Sequence, residues 1–299
     1  MTLTYVVLTW NRKEDLRDNL RSVQKQTVQP NEIIVVDNNS TNGTIEMLEE
    51  EFPSAKLVRL PKNLGIAGWN EGMKIAKGDF LVLSDSDTVF PKDVFEKIVR
   101  EFEAEPDLGI VTASVLKYDT KKPDSWVHDV REEDYGDKTF YTNSFHGCGV
   151  GIRKKAAEEA GYFSSKYFIY HNEFELAAKI INKGYRIRYC PKMLVYHKES
   201  QISRNKRRNV YYICRNWFWY VWTYYPMRLI PKHTVNHIIY TVIICLKYLT
   251  PLTILKVAVD CFTAIPRIMK ERNPIKDEKI VRGKYWLTFK KMRMNLGLT

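Results

Sequence analysis

The chain has 299 residues, 44% hydrophobic and 27% charged, enough to bury one large or two ordinary domains. Its formal net charge of +12 is uneven: residues 1–200 carry 28 Lys+Arg against 31 Asp+Glu, and residues 201–299 carry 19 against 4. A surplus confined to the last third points to a polyanion or an anionic membrane surface as the partner of that part. The five cysteines (Cys148, Cys190, Cys214, Cys245, Cys261) have no C-x-x-C spacing, which excludes a zinc or disulfide framework and predicts reduced thiols. The opening Met-Thr-Leu-Thr-Tyr5 lacks the pattern of a signal peptide, so a cytoplasmic setting is expected.

In chain order, residues 3–9 form a β-rich run closed by Trp10-Asn11-Arg12, and a helical pattern follows with Leu16, Leu20 and Val23 on one face. Residues 32–37 predict a second buried strand ending in Asn38-Asn39-Ser40. A helix over about 42–51 and a short strand at 56–60 come next. Residues 63–72, with glycines at 65, 68 and 72, read as a loop entering a helix that ends near Gly78. Residues 80–88 run from four apolar residues into Asp85-Ser86-Asp87, and a helix then starts near Pro91. Alternation at this pitch predicts a doubly wound, mostly parallel sheet with helices on both faces.

An unbroken apolar run reads as a strand buried on both faces. Side chains two apart on it project to one side, so Asp85 and Asp87 should leave its carboxyl edge together. Alone, this spacing also describes an acidic turn. Three polar strand ends at Thr9–Arg12, Asp37–Asn39 and Asp85–Asp87 make the stronger pattern, because open α/β sheets bind ligands at that edge. Two hard oxygen ligands there suit Mg²⁺ or Mn²⁺ shared with a diphosphate.

Beyond residue 109 a strand to 116 precedes a charged, irregular surface excursion over 117–138. Residues 144–152 predict a glycine-rich strand, 154–161 a short helix, and 167–176 lead into a helix reaching Lys183-Gly184, where glycine stops it. Two short strands follow at 186–190 and 193–197. His128, His146 and His171 read as ordinary histidines, the last two also as possible linings of an acceptor pocket; Trp69 reads as packing or as a sugar platform.

The basic third opens on an aromatic run with arginines, 207–225. It fits a belt at the headgroup level or, as a rival, a single-stranded nucleic-acid platform. Arg204, Arg207, Arg208 and Arg215 read first as a solvated basic face and second as phosphate contacts. Residues 235–265 are the most apolar part, interrupted by Lys247 and Pro251, so a helix pair in the membrane surface is expected, with a core helix hairpin as the alternative. Residues 267–293, with Trp286 and Phe289, form a basic tail suited to anionic headgroups.

These motifs resemble those of the inverting glycosyltransferases of family 2, and most closely the rhamnosyl- and galactofuranosyl-transferase-like subgroup. Val6–Arg12 and Ile33–Ser40 resemble its two nucleotide-binding strands, Asn63–Gly72 its glycine loop, Asp85-Ser86-Asp87 its D-x-D site and Val195–Ser200 a late element with a metal-binding histidine. The likeness covers about residues 1–216. It implies a GT-A fold over 1–203, and composition adds a membrane-associating helical region over 204–299. It implies a nucleotide-sugar site including Thr9, Asn11, Arg12, Asp37, Asn39, Asn63, Gly68, Asn70 and Asp85, with Asp37 on the base, and a Mn²⁺ or Mg²⁺ site of Asp85, Asp87 and His197. The subgroup's Glu-Asp-x-Asp-Leu appears here as Asn172-Glu173-Phe174-Glu175-Leu176. Aligned residue by residue, Glu173 takes the place of the general base. Glu175 is the alternative, about 200° away around a helix, and Gly147, Asn172 and Glu175 are acceptor-side candidates.

The implied activity moves a sugar from a UDP- or dTDP-linked donor to a lipid-linked or polysaccharide glycan at the cytoplasmic face of the cell membrane, with peripheral or monotopic attachment. A catalytically silent membrane scaffold is the second reading. A nucleic-acid binder would leave the polar strand ends without a role. Homo-oligomer formation is left open.

Overall fold

The computed structural model describes residues 2–199 and 205–276. Its sheet is built from β1 (Leu3–Thr9), β2 (Glu32–Asp37), β3 (Lys56–Arg59), β4 (Phe80–Asp85), β5 (Thr88–Val89), β6 (Leu108–Lys117), β7 (Phe140–Tyr141), β8 (Val150–Arg153) and β9 (Arg186–His197). Helices α1 (Lys13–Val23), α2 (Thr44–Glu51), α3 (Trp69–Ile75), α4 (Val94–Ala104), α5 (Glu132–Tyr135), α6 (Lys154–Ala160) and α7 (Asn172–Asn182) connect these strands. Three C-terminal helices follow: α8 (Lys206–Tyr224), α9 (Ile230–Lys247) and α10 (Pro251–Glu271).

The strand order is β3-β2-β1-β4-β8-β6-β9-β5, with β7 paired to β9. Alternation along β1 sorts its side chains between two cores. Tyr5 and Val7 face α1, α2 and α4, where Leu16, Leu20, Met47, Phe95 and Phe102 are buried. Val6 and Leu8 face α3, α6 and α7, meeting Trp69, Met73, Ala157 and Leu176. Gly72 permits the close seating of α3, since a Cβ there would lie 2.5 Å from Val6 Cγ1 and 2.8 Å from Val36 Cγ2.

The first four sheet positions are parallel, as expected, but β8 runs antiparallel to both β4 and β6. The sheet is therefore mixed. The physical reason is the 118–149 excursion: it leaves β6 at the carboxyl edge and returns there, so the next strand runs back down the sheet. Of the expected strand 144–152 only Val150–Arg153 is β, because Gly149 adopts φ +69° and turns the chain at the edge. The two short strands expected after residue 185 are one strand, β9, with a register break: Cys190 pairs with Ala113 and Leu194 with Ser114, looping out Pro191, Lys192 and Met193 between them.

The C-terminal helices pack on α7. Trp217, Trp219, Tyr220, Tyr224 and Tyr225 are buried in one cluster with Tyr167, Phe174 and Ile268. The aromatic run is thus core, neither a headgroup belt nor a nucleic-acid platform, because α8 sits between the sheet's helical layer and α10. Lys247 and Pro251 bracket the turn of a hairpin between α9 and α10. Met227–Lys247, 21 residues with mean hydropathy 1.3, is long and apolar enough to cross a membrane by length and composition. All five cysteines are free and buried. Arg204, Trp286, Phe289 and the expected boundary at 203/204 lie outside the described residues.

Candidate active site

Register brings the polar strand ends together: Thr9 pairs with Asp37 across β1–β2, and Leu8 with Asp85 across β1–β4. Because β6 and β9 are parallel and Thr88 of β5 pairs with His197, the end of β9 reaches the same edge. A cavity of about 500 Å³ opens there, and its lining includes Thr9, Arg12, Asn63, Asp85, Asp87 and His197 together with Gly147, His171 and Glu173. That volume lies in the range of small-molecule and cofactor pockets.

On the acidic side, Asp87 is buried and its Oδ2 lies 2.6 Å from Arg12 Nη1 and 3.5 Å from His197 Nε2. His197 Nδ1 is 2.6 Å from Asp124 Oδ2, which orients the ring so that Nε2 faces Asp87. Burial opposes charge on that imidazole, but Cys148 and the bonds to Asp124 and Asp87 outweigh it and raise its pKa. Asp85 Oδ2 stands 4.0 Å from Cys148 Sγ. Two carboxylates leaving one strand end and a ring nitrogen steered by a third carboxylate fit a divalent cation of the Mg²⁺ or Mn²⁺ kind. His146 stacks edge-on to His197 at 5.8 Å between centroids, and burial followed by His197's charge pushes its pKa down to about 4.

The other expected donor-side residues divide. Asn63 lines the cavity and its Oδ1 caps Gly65 N at 2.7 Å. Asn11 (φ +54°) and Asn39 (φ +67°) shape the strand-end turns. Asn11 N donates to Ser40 Oγ and its Oδ1 accepts from Thr41 N, both at 2.8 Å, and Asn39 is exposed outside the cavity lining. Asp37 is fully enclosed: Oδ2 accepts from Ser40 N at 3.0 Å, while Oδ1 has no hydrogen-bond partner among the described residues. Asn38 lines the cavity in its place, accepting from Leu64 N and donating to Gly65 O, both at 3.0 Å.

Gly68 and Asn70 do not reach the cavity. A Cβ on Gly68 would meet Leu8 Cδ1 at 2.7 Å, so that glycine serves packing. Asn70 is a strut, exchanging two hydrogen bonds with the backbone of Phe163 at 2.8 and 3.0 Å. Trp69 is fully buried packing, with Nε1 donating to Ser84 O at 3.3 Å, so no sugar stacks on it.

Glu173, which also lines the cavity, lies in the first turn of α7. Burial, then the nearby charge of Asp85, raises its pKa to about 7. Gly147 leaves room for it: a Cβ there would lie 3.2 Å from Glu173 Oε1 and 3.2 Å from Trp69. Glu175 points away, as the angle around the helix requires. It accepts from Ser164 N and Tyr224 OH and pairs with Lys179 Nζ at 2.9 Å, so it is structural and offers an acceptor nothing. Asn172 is buried outside the cavity lining, and neither side-chain polar atom has a hydrogen-bond partner among the described residues.

The loop before α7 is strained: Phe168, Tyr170 and His171 have φ of +60°, +66° and +62°. Such conformations cost about 1–3 kcal/mol each and persist only where the surroundings hold them. Gly65 (φ +63°) lets this loop approach, since a Cβ would fall 2.1 Å from Phe168 O.

Sequence reasoning missed Asp124, Ser125 and Val127, which the 118–149 excursion carries into the cavity wall. An acid in an irregular charged stretch gives no local signal. Of the basic residues in the aromatic run, Arg208 lines the cavity, Arg207 is exposed, and Arg215 is buried rather than solvated. His128 is buried in an aromatic cluster with Trp126, Phe140 and Tyr189, as its bland reading expected.

Comparison with known proteins agrees with this geometry. A relative in Bacillus subtilis (strain 168), the uncharacterized glycosyltransferase YwdF, is 30% identical over 213 residues, 69% of this chain and 77% of that protein. Poly-beta-1,6-N-acetyl-D-glucosamine synthase of Staphylococcus aureus is 25% identical over 201 residues, 63% of this chain but only 48% of the synthase. Among solved structures, the mannosyltransferase PcManGT from Pyrobaculum calidifontis in complex with GDP-Man and Mn²⁺ superposes with TM-score 0.59 at 19% identity, covering 99% of this chain and 83% of that one. S. aureus TarS 1-349 in complex with UDP-GlcNAc gives TM-score 0.64 at 16% identity, over 91% and 84%. These two establish the GT-A fold. The Glycosyl transferase family 2 model matches residues 4–161, more than half of the chain, and the chain belongs to that family.

Proposed function

We propose that the protein is a metal-dependent, inverting glycosyltransferase that moves a sugar from a nucleoside-diphosphate donor to a hydroxyl of a lipid-linked or polysaccharide glycan at the cytoplasmic face of a membrane. The observation that carries this is that one cavity is lined by both the Asp85/Asp87/His197 cluster and a buried carboxylate, Glu173, whose pKa is raised to about 7. The nucleotide lies against the strand ends of β1 and β2, where Thr9, Arg12, Asn38 and Asn63 line the cavity, while enclosed Asp37 shapes the turn beneath them through Ser40 N. Asp85, Asp87 and His197 would hold the cation, which would supply positive charge to stabilise the leaving diphosphate. Arg12 and Arg208 add positive charge at that end of the cavity.

Glu173 is the general base. A carboxylate with a pKa near the operating pH is both ionised in useful proportion and basic enough to take the acceptor hydroxyl proton as the oxygen attacks. A single base that activates the acceptor oxygen for direct attack suits one displacement, hence inversion. The donor nucleotide, UDP, dTDP or GDP, is left to a thermal-shift screen of nucleotide-sugars with Mn²⁺. A ligand that binds the fold raises its melting temperature in proportion to ln(1 + [L]/Kd). No shift with any nucleotide-sugar would sink the reading.

Residues 1–203 then form the catalytic domain and 204–299 the membrane-associating region, with α8 packed into both. Support comes from the hairpin, whose outer side exposes Leu249 (82%), Leu252 (83%), Phe262 (76%), Val235, Ile238 and Leu255 beside exposed Lys232, Lys247 and Lys256. A contiguous apolar face rimmed by lysines fits an anionic lipid surface. Leu249→Asp with Leu252→Asp should release the protein from liposomes containing phosphatidylglycerol; undiminished binding would refute the attachment.

A further inference from the structure

We infer that Arg215 and Asn216 of α8 are positioning residues for Glu173, holding the loop that aims this carboxylate into the cavity. The inference rests on the reading of Glu173 as the base and adds a role for the C-terminal helices in the chemistry.

Left-handed residues at 168, 170 and 171 prevent the 166–171 loop from forming a regular ladder, so its carbonyls need partners from elsewhere. They find them in succession. Asn216, fully buried, directs Nδ2 to the carbonyls of Tyr167 (2.8 Å), Ile169 (2.8 Å) and Tyr170 (2.9 Å). An amide has two hydrogens, so one of them is shared. Arg215 Nη2 donates to Lys166 O at 2.9 Å. The intervening Phe168 carbonyl accepts from Ile66 N at 2.8 Å, on the donor side of the cavity.

The two side chains also lock each other. Asn216 Oδ1 accepts from Arg215 Nε at 3.0 Å and Nη2 at 2.8 Å, which orients the amide so that Nδ2 faces the loop. The guanidinium lies 4.0 Å from the centroid of Trp219, and Arg267 stacks on the same ring at 4.3 Å. Further along, Tyr224 of α8 donates to Glu175 of α7 at 3.1 Å. Glu173 therefore sits between two grips from one helix, two residues after the last strained position. A base displaced by about 1 Å loses on the order of 100-fold in rate, so holding this loop is a catalytic requirement.

The test compares Asn216→Ala and Arg215→Lys with Glu173→Gln. Turnover is followed with Mn²⁺ and UDP-GlcNAc, GDP-mannose or dTDP-rhamnose. The ionisation midpoint of Glu173 is read separately, from carboxyl-stretch infrared differences against Glu173→Gln, which needs no donor. Asn216→Ala should lower kcat roughly 10- to 100-fold with donor KM within about twofold, and move the midpoint from about 7 toward the ordinary carboxylate range as water enters the loosened loop. Arg215→Lys, which keeps the charge but loses the fork that holds Asn216, should give the same pattern at smaller amplitude.

An unchanged kcat and midpoint in both variants overturns the inference. So does a joint loss of melting temperature, UDP–Mn²⁺ binding and turnover in both, which would mark a purely structural role. Turnover surviving in Glu173→Gln defeats the base assignment instead, and the midpoint still reports whether α8 holds that carboxyl.

Discussion

The two walls of the cavity are built on different principles. The donor wall stands on three adjacent parallel strands, and its side chains are placed by register: once Thr9 pairs with Asp37 and Leu8 with Asp85, the polar ends must coincide. The base wall includes a loop with three left-handed non-glycine residues, whose own hydrogen bonds are few and local, such as Ile169 N to Tyr167 O at 2.8 Å. It is held from outside, by Gly65 and Ile66 on one flank and by α8 on the other. A sheet edge tolerates change at single positions, whereas a loop held by distant partners transmits damage from residues that never meet substrate.

The largest expected effect breaks the donor wall. Asp87→Ala should reduce turnover about 1,000-fold or more, the equivalent of several kcal/mol of electrostatic stabilisation, with the melting temperature of the free protein little changed. Steady-state assay beside a thermal melt checks it, and near-normal turnover would remove Asp87 from the cation site. On the base wall, Glu173→Gln should cost about 100- to 10,000-fold in kcat while Mn²⁺–UDP binding persists.

The pH dependence sharpens the same point. Burial raises the Glu173 pKa to about 7, so the active, ionised form is lost as pH falls, and kcat should drop about tenfold per unit below that value and level off above it. Ionising this carboxyl also costs the fold, so its contribution to stability weakens as pH rises from the ordinary carboxylate range through 7. A flat kcat profile between pH 5.5 and 8.5 would disconnect Glu173 from proton transfer.

Asp124→Asn should weaken Mn²⁺ binding by roughly 10- to 100-fold, as loss of a residue orienting a metal-bound histidine generally does. Calorimetric titration with Mn²⁺ measures it, and unaltered affinity would reduce Asp124 to a loop anchor. The smallest change is Gly147→Ala. Its methyl would press on both Glu173 Oε1 and Trp69 at 3.2 Å, so roughly a tenfold loss in kcat with little change in donor KM is expected. Equal losses in donor KM would place that glycine on the donor wall instead.

Much of the donor wall was legible because strand ends, periodicity and D-x-D spacing are local patterns. Asp85, Asp87 and His197 converge as expected; the helical angle said only that one of Glu173 and Glu175 faces the cavity, and the motif alignment chose Glu173. Gly68 and Asn70 were assigned to the donor because a glycine-punctuated loop looks alike whether it cradles a phosphate or lets a helix approach a sheet; here it does the second. The aromatic run was misjudged for a related reason. Tryptophan and tyrosine between arginines describe a membrane belt and a buried helix equally well, and only packing on α7 separates them.

By itself the sequence determined the alternation of strands and helices, the apolar runs that bury β1, β2 and β4, and the carboxylates at their ends, since these depend on side-chain periodicity within a few residues. The tertiary structure alone decided that β8 runs backwards, that an acid from the 118–149 excursion orients His197, and that Arg215 and Asn216 hold the approach to Glu173. The physical reason is the same for all three: each joins groups far apart in the chain, and the partner of a strained carbonyl or a histidine nitrogen is chosen by where the fold puts a donor or acceptor rather than by what stands next to it in sequence.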